Sequence, residues 1–295
     1  MHAHNPVLTK EVLEYLAPQP NENIIDATVG EGGHTLLILE KNGPQGKVLG
    51  IDRDAQQIEH SREYTAAFKE RVMLVNDSYI NIRQIAEHIH FEPVHGILLD
   101  LGYSSWHIEN SKKGFSFGRD EVLDMRYDEK NPLTAKEIVN DYPEKEIEKI
   151  LRIFGEEKFS KKIAKAIVES RTKQKIDRTL ELVRIIEGVI PARLYAGKIH
   201  PATRTFQALR IAVNNELDAI AKVLPEALGV LSRRGRLVVI SFHSLEDRIV
   251  KHFFNLQAKE GCVTITTKKP VTAAFDEVMG NARARSAKLR AIIKI

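Results

Sequence analysis

The sequence predicts an α/β fold: a doubly wound, mostly parallel sheet whose chain is interrupted by a helical insertion. Three observations point there. Over the first hundred residues, short apolar runs alternate with helical stretches. From Thr134 to about Pro191 the pattern is helical and strongly charged, with no strand-like run. Strand-like runs then return beyond Leu217. Strands spaced by single helices imply right-handed crossovers and a sheet covered on both faces.

Taken in order, Asn23–Thr28 reads as a buried strand, followed by a glycine-rich turn and a helix at His34–Lys41. Lys47–Asp52 is a second strand and Ala55–Glu70 has helical periodicity. Val72–Val75 is a third strand, Ile80–His90 a helix, and Val94–Leu101 a fourth strand. Ser104–Asp128, rich in Gly, Ser and Asp, reads as a long loop. Leu217–Ser232 is an amphipathic helix with Gly235 as a stop, and Arg236–Phe242 an apolar strand. Leu245–Lys259 is a helix, and Val263–Thr267 and Ala291–Ile295 are two closing strands. The expected domains are a discontinuous one over 1–106 and 214–295, and an inserted helical one over 107–213.

Composition bounds the function. The 295 residues are 43% hydrophobic, enough for a sizeable core. No apolar run approaches the length that spans a bilayer, and Met1–Pro18 lacks a secretory core, so a cytoplasmic protein is expected. The single cysteine, Cys262, excludes a disulfide framework and a multi-cysteine zinc site. The eleven histidines show no H-E-x-x-H or comparable spacing, so no metal is expected. Residues 1–100 carry 8 Lys/Arg against 15 Asp/Glu, and the other 195 carry 36 against 25. Such asymmetry suits either two solvated faces or a polyanion gripped by one part of the molecule.

The chemistry concentrates at strand ends. Asp26 precedes a loop with Gly30, Gly32 and Gly33, followed by His34, where the first strand turns into the first helix. Glycines there let backbone approach a ligand and adopt positive φ. Asp52 closes the second strand, 20 residues after Gly32, where a carboxylate can accept both ribose hydroxyls of an adenosine-containing cofactor. A nicotinamide dinucleotide is the competing ligand, but its G-x-G-x-x-G would need glycine where Thr35 stands. The acid-first form D-x-x-x-G-x-G-G is closer to an adenosylmethionine signature. Tyr79 follows the third strand, placed either to stack on adenine or to pack at a helix start. Asp100 ends the otherwise apolar fourth strand and needs a partner there, a cofactor or substrate amine.

Longer stretches carry a resemblance. They are His4–Leu8, Asp26–His34, Ile51–Asp54, Gly96–Ser105, Gly114–Phe117, Leu123–Arg126, His200–Glu216, Ser241–Arg248 and Asn281–Arg290. Together they resemble, over essentially the whole length, the bacterial 16S ribosomal RNA cytosine-N4 methyltransferases. The resemblance implies a class I methyltransferase, Rossmann-like fold with an inserted substrate-recognition domain. It also implies S-adenosyl-L-methionine as cofactor and a cytidine near the decoding centre, at the P site of the small subunit, as substrate. By the same resemblance, cofactor contacts fall on Gly32, Gly33, His34, Asp52, Tyr79, Asp100 and His107, with Gly30 in the same loop. The chain departs from the family in having Tyr79 where Phe is usual and Trp106-His107 where Pro-Gln is usual. A homodimer is left open.

For the reaction, Asp100 or the Ser104 hydroxyl is expected to orient the N4 amine. His243, ending the late strand, either reaches the base or serves a structural role. Three basic clusters are candidate RNA surfaces: Lys158–Arg178; Arg193–Arg210; and Arg283, Arg285, Lys288, Arg290 with Lys294. Arg204 and Arg210 beside Phe206 suggest phosphate contact with base stacking, whereas a helical charge run can equally be a solvated face.

Overall fold

The computed structural model describes residues 6–102, 104–191 and 199–295. Chain contacts gather them into two compact units: the residues up to Gly102 together with Leu217–Ile295, and the residues between.

The first unit begins with α1 (Thr9–Leu16) and runs through β1 (Ile24–Asp26), α2 (Gly33–Lys41), β2 (Val48–Asp52), α3 (Ala55–Tyr64), β3 (Val72–Asn76), α4 (Ile82–His88) and β4 (Val94–Asp100). The second unit holds α5 (Ser105–Glu109), α6 (Ala135–Asp141), α7 (Glu144–Gly155), α8 (Ser160–Arg171), α9 (Thr179–Val189) and α10 (Thr203–Asn214). The chain then returns to the first unit with α11 (Glu216–Val230), β5 (Leu231–Ser241), α12 (Ser244–Lys259), β6 (Val263–Ile265), α13 (Phe275–Gly280) and β7 (Lys288–Lys294).

The seven strands form one sheet in the order β3-β2-β1-β4-β5-β7-β6. The first five are parallel, and β7 runs antiparallel to both β5 and β6. The central strands read as near-continuous apolar runs because both faces are covered. Alternate residues divide between two cores. Ile25, Ile97, Leu99 and Val239 join the face packed by α4, α11 and α12. Ile24, Leu98, Val238 and Ile240 join the face packed by α1 and α2. From β1 the chain winds outward to β2 and β3 and then returns to β4 on the other side. The crevice beyond the carboxyl ends of β1 and β4 is therefore the switch point where open α/β sheets bind ligands.

The second unit has its own core of Leu123, Ile138, Ile147, Leu151, Ile163, Ile167, Leu182 and Leu209. Among the described residues no helix is long and apolar enough to cross a membrane.

Several local expectations need correction. The Ser104–Asp128 loop contains α5 and an isolated bridge from Val122 to Arg178. The helix expected through Glu70 ends at Tyr64 in a 3-10 turn over Ala66–Phe68. Gly235 stops no helix: α11 ends at Val230, and β5 carries a register shift between its pairings with Val94 and Gly96. The last strand starts at Lys288, which places Arg290 within the sheet. Helices α1 and α13 have no counterpart among the expected elements. Both are held by tertiary contacts, and α13 is too short for periodicity to reveal. Arg236 fixes the end of α1 by donating to the carbonyls of Leu16 and Ala17 while pairing with Glu22.

Candidate functional site

The glycine bend is built by backbone geometry first. Gly30 has φ 51° and Gly32 φ 89°, both in the left-handed region that glycine tolerates. A Cβ on Gly32 would stand 2.8 Å from Ser61 Oγ, and one on Gly33 would stand 3.0 Å from Pro6. At these two positions the close approach expected of a ligand is made by the protein itself. Around Gly30, its chain neighbours aside, the nearest atom to such a Cβ is Gln57 Oε1 at 3.8 Å.

Asp52 faces this bend. Its Oδ2 accepts from the Gly30 N–H at 3.0 Å and its Oδ1 accepts from the Asp54 N–H at 2.9 Å. These two bonds orient the carboxylate toward the glycine bend. Tyr79 sits beyond β3 with the Arg53 guanidinium 5.4 Å from its ring centroid, a cation–π neighbour that the sequence did not foretell.

Beneath the bend lies a network that sequence reasoning largely missed. Asp26 is 1% exposed. Its Oδ2 accepts from the Thr35 hydroxyl at 2.7 Å, and its Oδ1 accepts from the Thr28 N–H at 3.3 Å. The Thr28 hydroxyl accepts from the Asp100 N–H at 2.6 Å, tying the loop to the tip of β4. Burial pushes the Asp26 carboxyl up to about 6, opposed by His34 and by the bonds from Thr35 and Thr28, with Asp100 adding to the rise. Thr35 occupies the position where a dinucleotide fingerprint wants glycine, and its hydroxyl is what satisfies the buried acid. That departure was the available signal.

Asp100 and His34 close the crevice. The His34 Nε2 lies 3.7 Å from Asp100 Oδ2, beyond hydrogen-bond reach. Both ring nitrogens of His34 and Asp100 Oδ1 are buried without a hydrogen-bond partner among the described residues. Such groups cost about 1–3 kcal/mol each unless something satisfies them. A ligand bearing hydroxyls and a cationic amine would do so, and the acids at the ends of β2 and β4 suit an adenosine nucleoside with a positive tail.

The structure thus brings together Gly30, Gly32, Gly33, His34, Asp52 and Asp100, with Tyr79 at the end of β3 on the same sheet edge. Other expected residues stand elsewhere or are otherwise engaged. Ser104 caps α5, its hydroxyl 2.9 Å from His107 Nδ1. His107 belongs to the second unit, 5% exposed, with its ring 5.1 Å from both Phe115 and Tyr127. His243 follows β5 and caps α12, its Nδ1 accepting from the Glu246 N–H. The carboxylate of Glu246, which the sequence pattern does not single out, lies 3.2 Å from His243 Nε2 and accepts from the Phe242 N–H at 2.7 Å.

The basic residues divide similarly. Arg210 is buried, pairing with Glu216 at 2.9 Å and 3.0 Å, and so presents no guanidinium to a phosphate. Arg290 is held by Asp247 in the same manner. Phe206, expected to stack on a base, is 4% exposed in the second core. Arg204 remains near the surface, donating to the Glu156 carbonyl at 3.3 Å. Arg285 is exposed, while Arg283 and Lys288 are half-buried. Lys158, Lys161, Lys162, Lys165, Lys173 and Lys175 are exposed on and beside α8. His4, Asn5, Tyr103, Arg193 and Lys198 lie outside the described residues.

Residues 1–295 match the model of the MraW methylase family. A ribosomal RNA small subunit methyltransferase H from Geobacter sulfurreducens is 45% identical, covering 99% of this chain and 99% of that protein. Its counterpart in Persephonella marina is 44% identical over 100% of both chains. Among solved structures, a putative rRNA-methylase from Clostridium thermocellum is 12% identical with a TM-score of 0.47, covering 97% of this chain and 93% of that one.

Proposed function

The chain belongs to the MraW methylase family, and on that premise we propose that it transfers a methyl group from S-adenosylmethionine to N4 of a cytidine in 16S ribosomal RNA. The cytidine lies near the decoding centre, at the P site, and the enzyme works in the cytoplasm where ribosomal subunits are assembled. When bound, the cofactor supplies an electrophilic methyl group on a sulfonium.

The observation that carries the reading is the buried, unpartnered Asp100 Oδ1 at the tip of β4, tied through Thr28 to the loop that bears the glycine bend. Asp52 takes the ribose hydroxyls. The cytosine amine is a poor nucleophile because its lone pair is conjugated with the ring. Asp100 Oδ1 accepts a hydrogen bond from that amine, turning the lone pair out of conjugation and toward the incoming carbon. The backbone of Asp100 is fixed by Thr28, so the carboxylate is held before substrate arrives. The target base must leave any stack to reach the crevice, which single-stranded or loop RNA makes easier.

The decisive experiment supplies methyl-labelled cofactor and small ribosomal subunits lacking the modification, then maps the label by mass spectrometry. Label on one cytidine N4 is expected. Replacing Asp100 with Asn should lower kcat by about 100-fold or more. Label on another nucleotide, or full activity in Asp100→Asn, contradicts the assignment.

A further inference from the structure

The C-terminal segment holds a surface that the cofactor site does not use. Among the described residues Phe275, 77% exposed, and Met279, 73% exposed, are the most exposed large apolar side chains. They stand four residues apart on α13, so they share one face of it. Isolated exposed apolar residues are ordinary, but a pair on one rigid face within a charged segment marks a contact surface.

Helix α13 is fixed in place. Glu277 Oε1 accepts from the Leu8 N–H at 2.6 Å, and Val278 packs on the core that contains Val12, Leu16 and Ala284. With Val278 and Glu277 turned inward, Phe275 and Met279 face out. Basic residues flank the helix in the chain. The 3-10 turn Ala282–Ser286 follows directly and carries Arg283 and the exposed Arg285, and Lys288 begins β7. Lys268 and Lys269 are exposed on the segment that bridges to β7 through Val271 and Leu289. Of the two acids on α13, Glu277 is engaged by Leu8, leaving Asp276 as the one exposed carboxylate of that helix.

The same segment reaches the catalytic edge of the sheet. The Arg283 guanidinium lies 5.5 Å from the centroid of the Phe242 ring. A Cβ on Gly102, two residues beyond Asp100, would meet that ring at 3.3 Å. Arg283, Phe242 and the tip of β4 therefore form one contiguous stretch of surface.

We propose that α13 and the turn behind it are a platform for single-stranded RNA. Phe275 and Met279 receive unstacked bases, and Arg285 and Lys288 hold the adjoining phosphates. Stacking faces flanked by cations are how single strands are held without sequence readout, because every base presents a π face. The cations of the turn that follows α13 favour a polyanion over a second copy of this chain. The platform rests on the reading of the chain as an RNA methyltransferase and adds where the strand lies as its cytidine enters the crevice.

The test compares the full-length protein with the double variant Phe275→Ala/Met279→Ala and with Phe275→Trp. Binding of a labelled single-stranded oligoribonucleotide, affinity for S-adenosylhomocysteine, sedimentation and methyl transfer to small subunits are all measured. The double variant should bind the oligonucleotide about tenfold or more weakly, with an equal rise in KM for RNA. Its S-adenosylhomocysteine affinity should be unchanged, and Phe275→Trp should bind as the unaltered chain does. Unchanged RNA affinity in the double variant overturns the platform and leaves the methyltransferase reading intact. So does dissociation of a dimer with RNA affinity preserved, which would assign the face to a second copy. Loss of RNA binding in the variant, with no methyl transfer by the unaltered chain, upholds the platform and overturns the methyltransferase reading.

Discussion

Asp26 shows how one buried carboxylate couples the site to stability. In the folded chain its affinity for a proton is raised to about 6 from the ordinary 3.8, chiefly by burial. The folded state thus binds this proton more tightly than the unfolded chain does. Its contribution is fully present below about pH 4 and is lost as pH rises through 6, a total of about 3 kcal/mol. Asp26→Asn should remove that slope. Denaturant melts between pH 4 and 8 should show the variant gaining on the unaltered protein up to about pH 6 and holding a constant lead above it; a constant difference throughout would show that Asp26 does not titrate there. Arg210 gives a second test. It pairs with Glu216, the two side chains being 10% and 6% exposed, and Tyr127 also donates to Glu216 at 3.0 Å. Arg210→Ala leaves a buried carboxylate unpaired and should cost about 3–5 kcal/mol in unfolding experiments. A phosphate-binding arginine would instead leave the melt unchanged and weaken RNA binding. The strand-end acids Asp26, Asp52 and Asp100 were legible in the sequence because a carboxylate closing an apolar strand must find a polar partner at that edge. Ser104, Arg210 and Arg290 were not, since their partners are set by capping and tertiary packing. A basic residue in a polar motif looks the same whether it faces solvent or a buried glutamate.

At the scale of elements, the turn from β1 into α2 carries the strongest constraint. Gly32 has φ 89°, caps α2 and lies against Ser61 of α3. Gly32→Ala adds backbone strain and a clash, and should destabilise the fold by about 1–3 kcal/mol. It should also weaken cofactor binding, because the bend supplies the Gly30 N–H that orients Asp52. Thermal melting and a cofactor titration on the same variant check both; unchanged affinity would separate the bend from the seat. The five parallel strands and most of their helices could be read from apolar runs of four to eight residues alternating with helical periodicity. The short α5 and α13 could not, being five and six residues long. The irregularity within β5 was hidden for a related reason: Arg234 at φ 62° and the shifted register are backbone events with little sequence signature.

Across the whole molecule, charge and fold divide the labour. The first hundred residues are acidic and carry the strand-end acids Asp26, Asp52 and Asp100, while the remainder is basic. Within the second unit the lysines of α8 line its exposed face, whereas Ile163, Ala164 and Ile167 fill its core face. If those lysines meet phosphates, RNA affinity falls steeply with salt, and the slope of log affinity against log salt drops by about 0.7 for each contact removed. Changing Lys161, Lys162 and Lys165 to Gln should flatten that slope and leave S-adenosylhomocysteine affinity unchanged. An unaltered slope would make α8 a solvated face only.

The proposed methyl transfer requires the acids of β2 and β4 to form a seat for a sulfonium nucleoside beside the glycine bend. Calorimetric titration of S-adenosylhomocysteine into the unaltered protein and into Asp52→Asn tests it most directly. One site per chain is expected, weakened about tenfold or more when the Asp52 charge is removed. Absence of binding by the unaltered protein, or equal affinity in the variant, would contradict it.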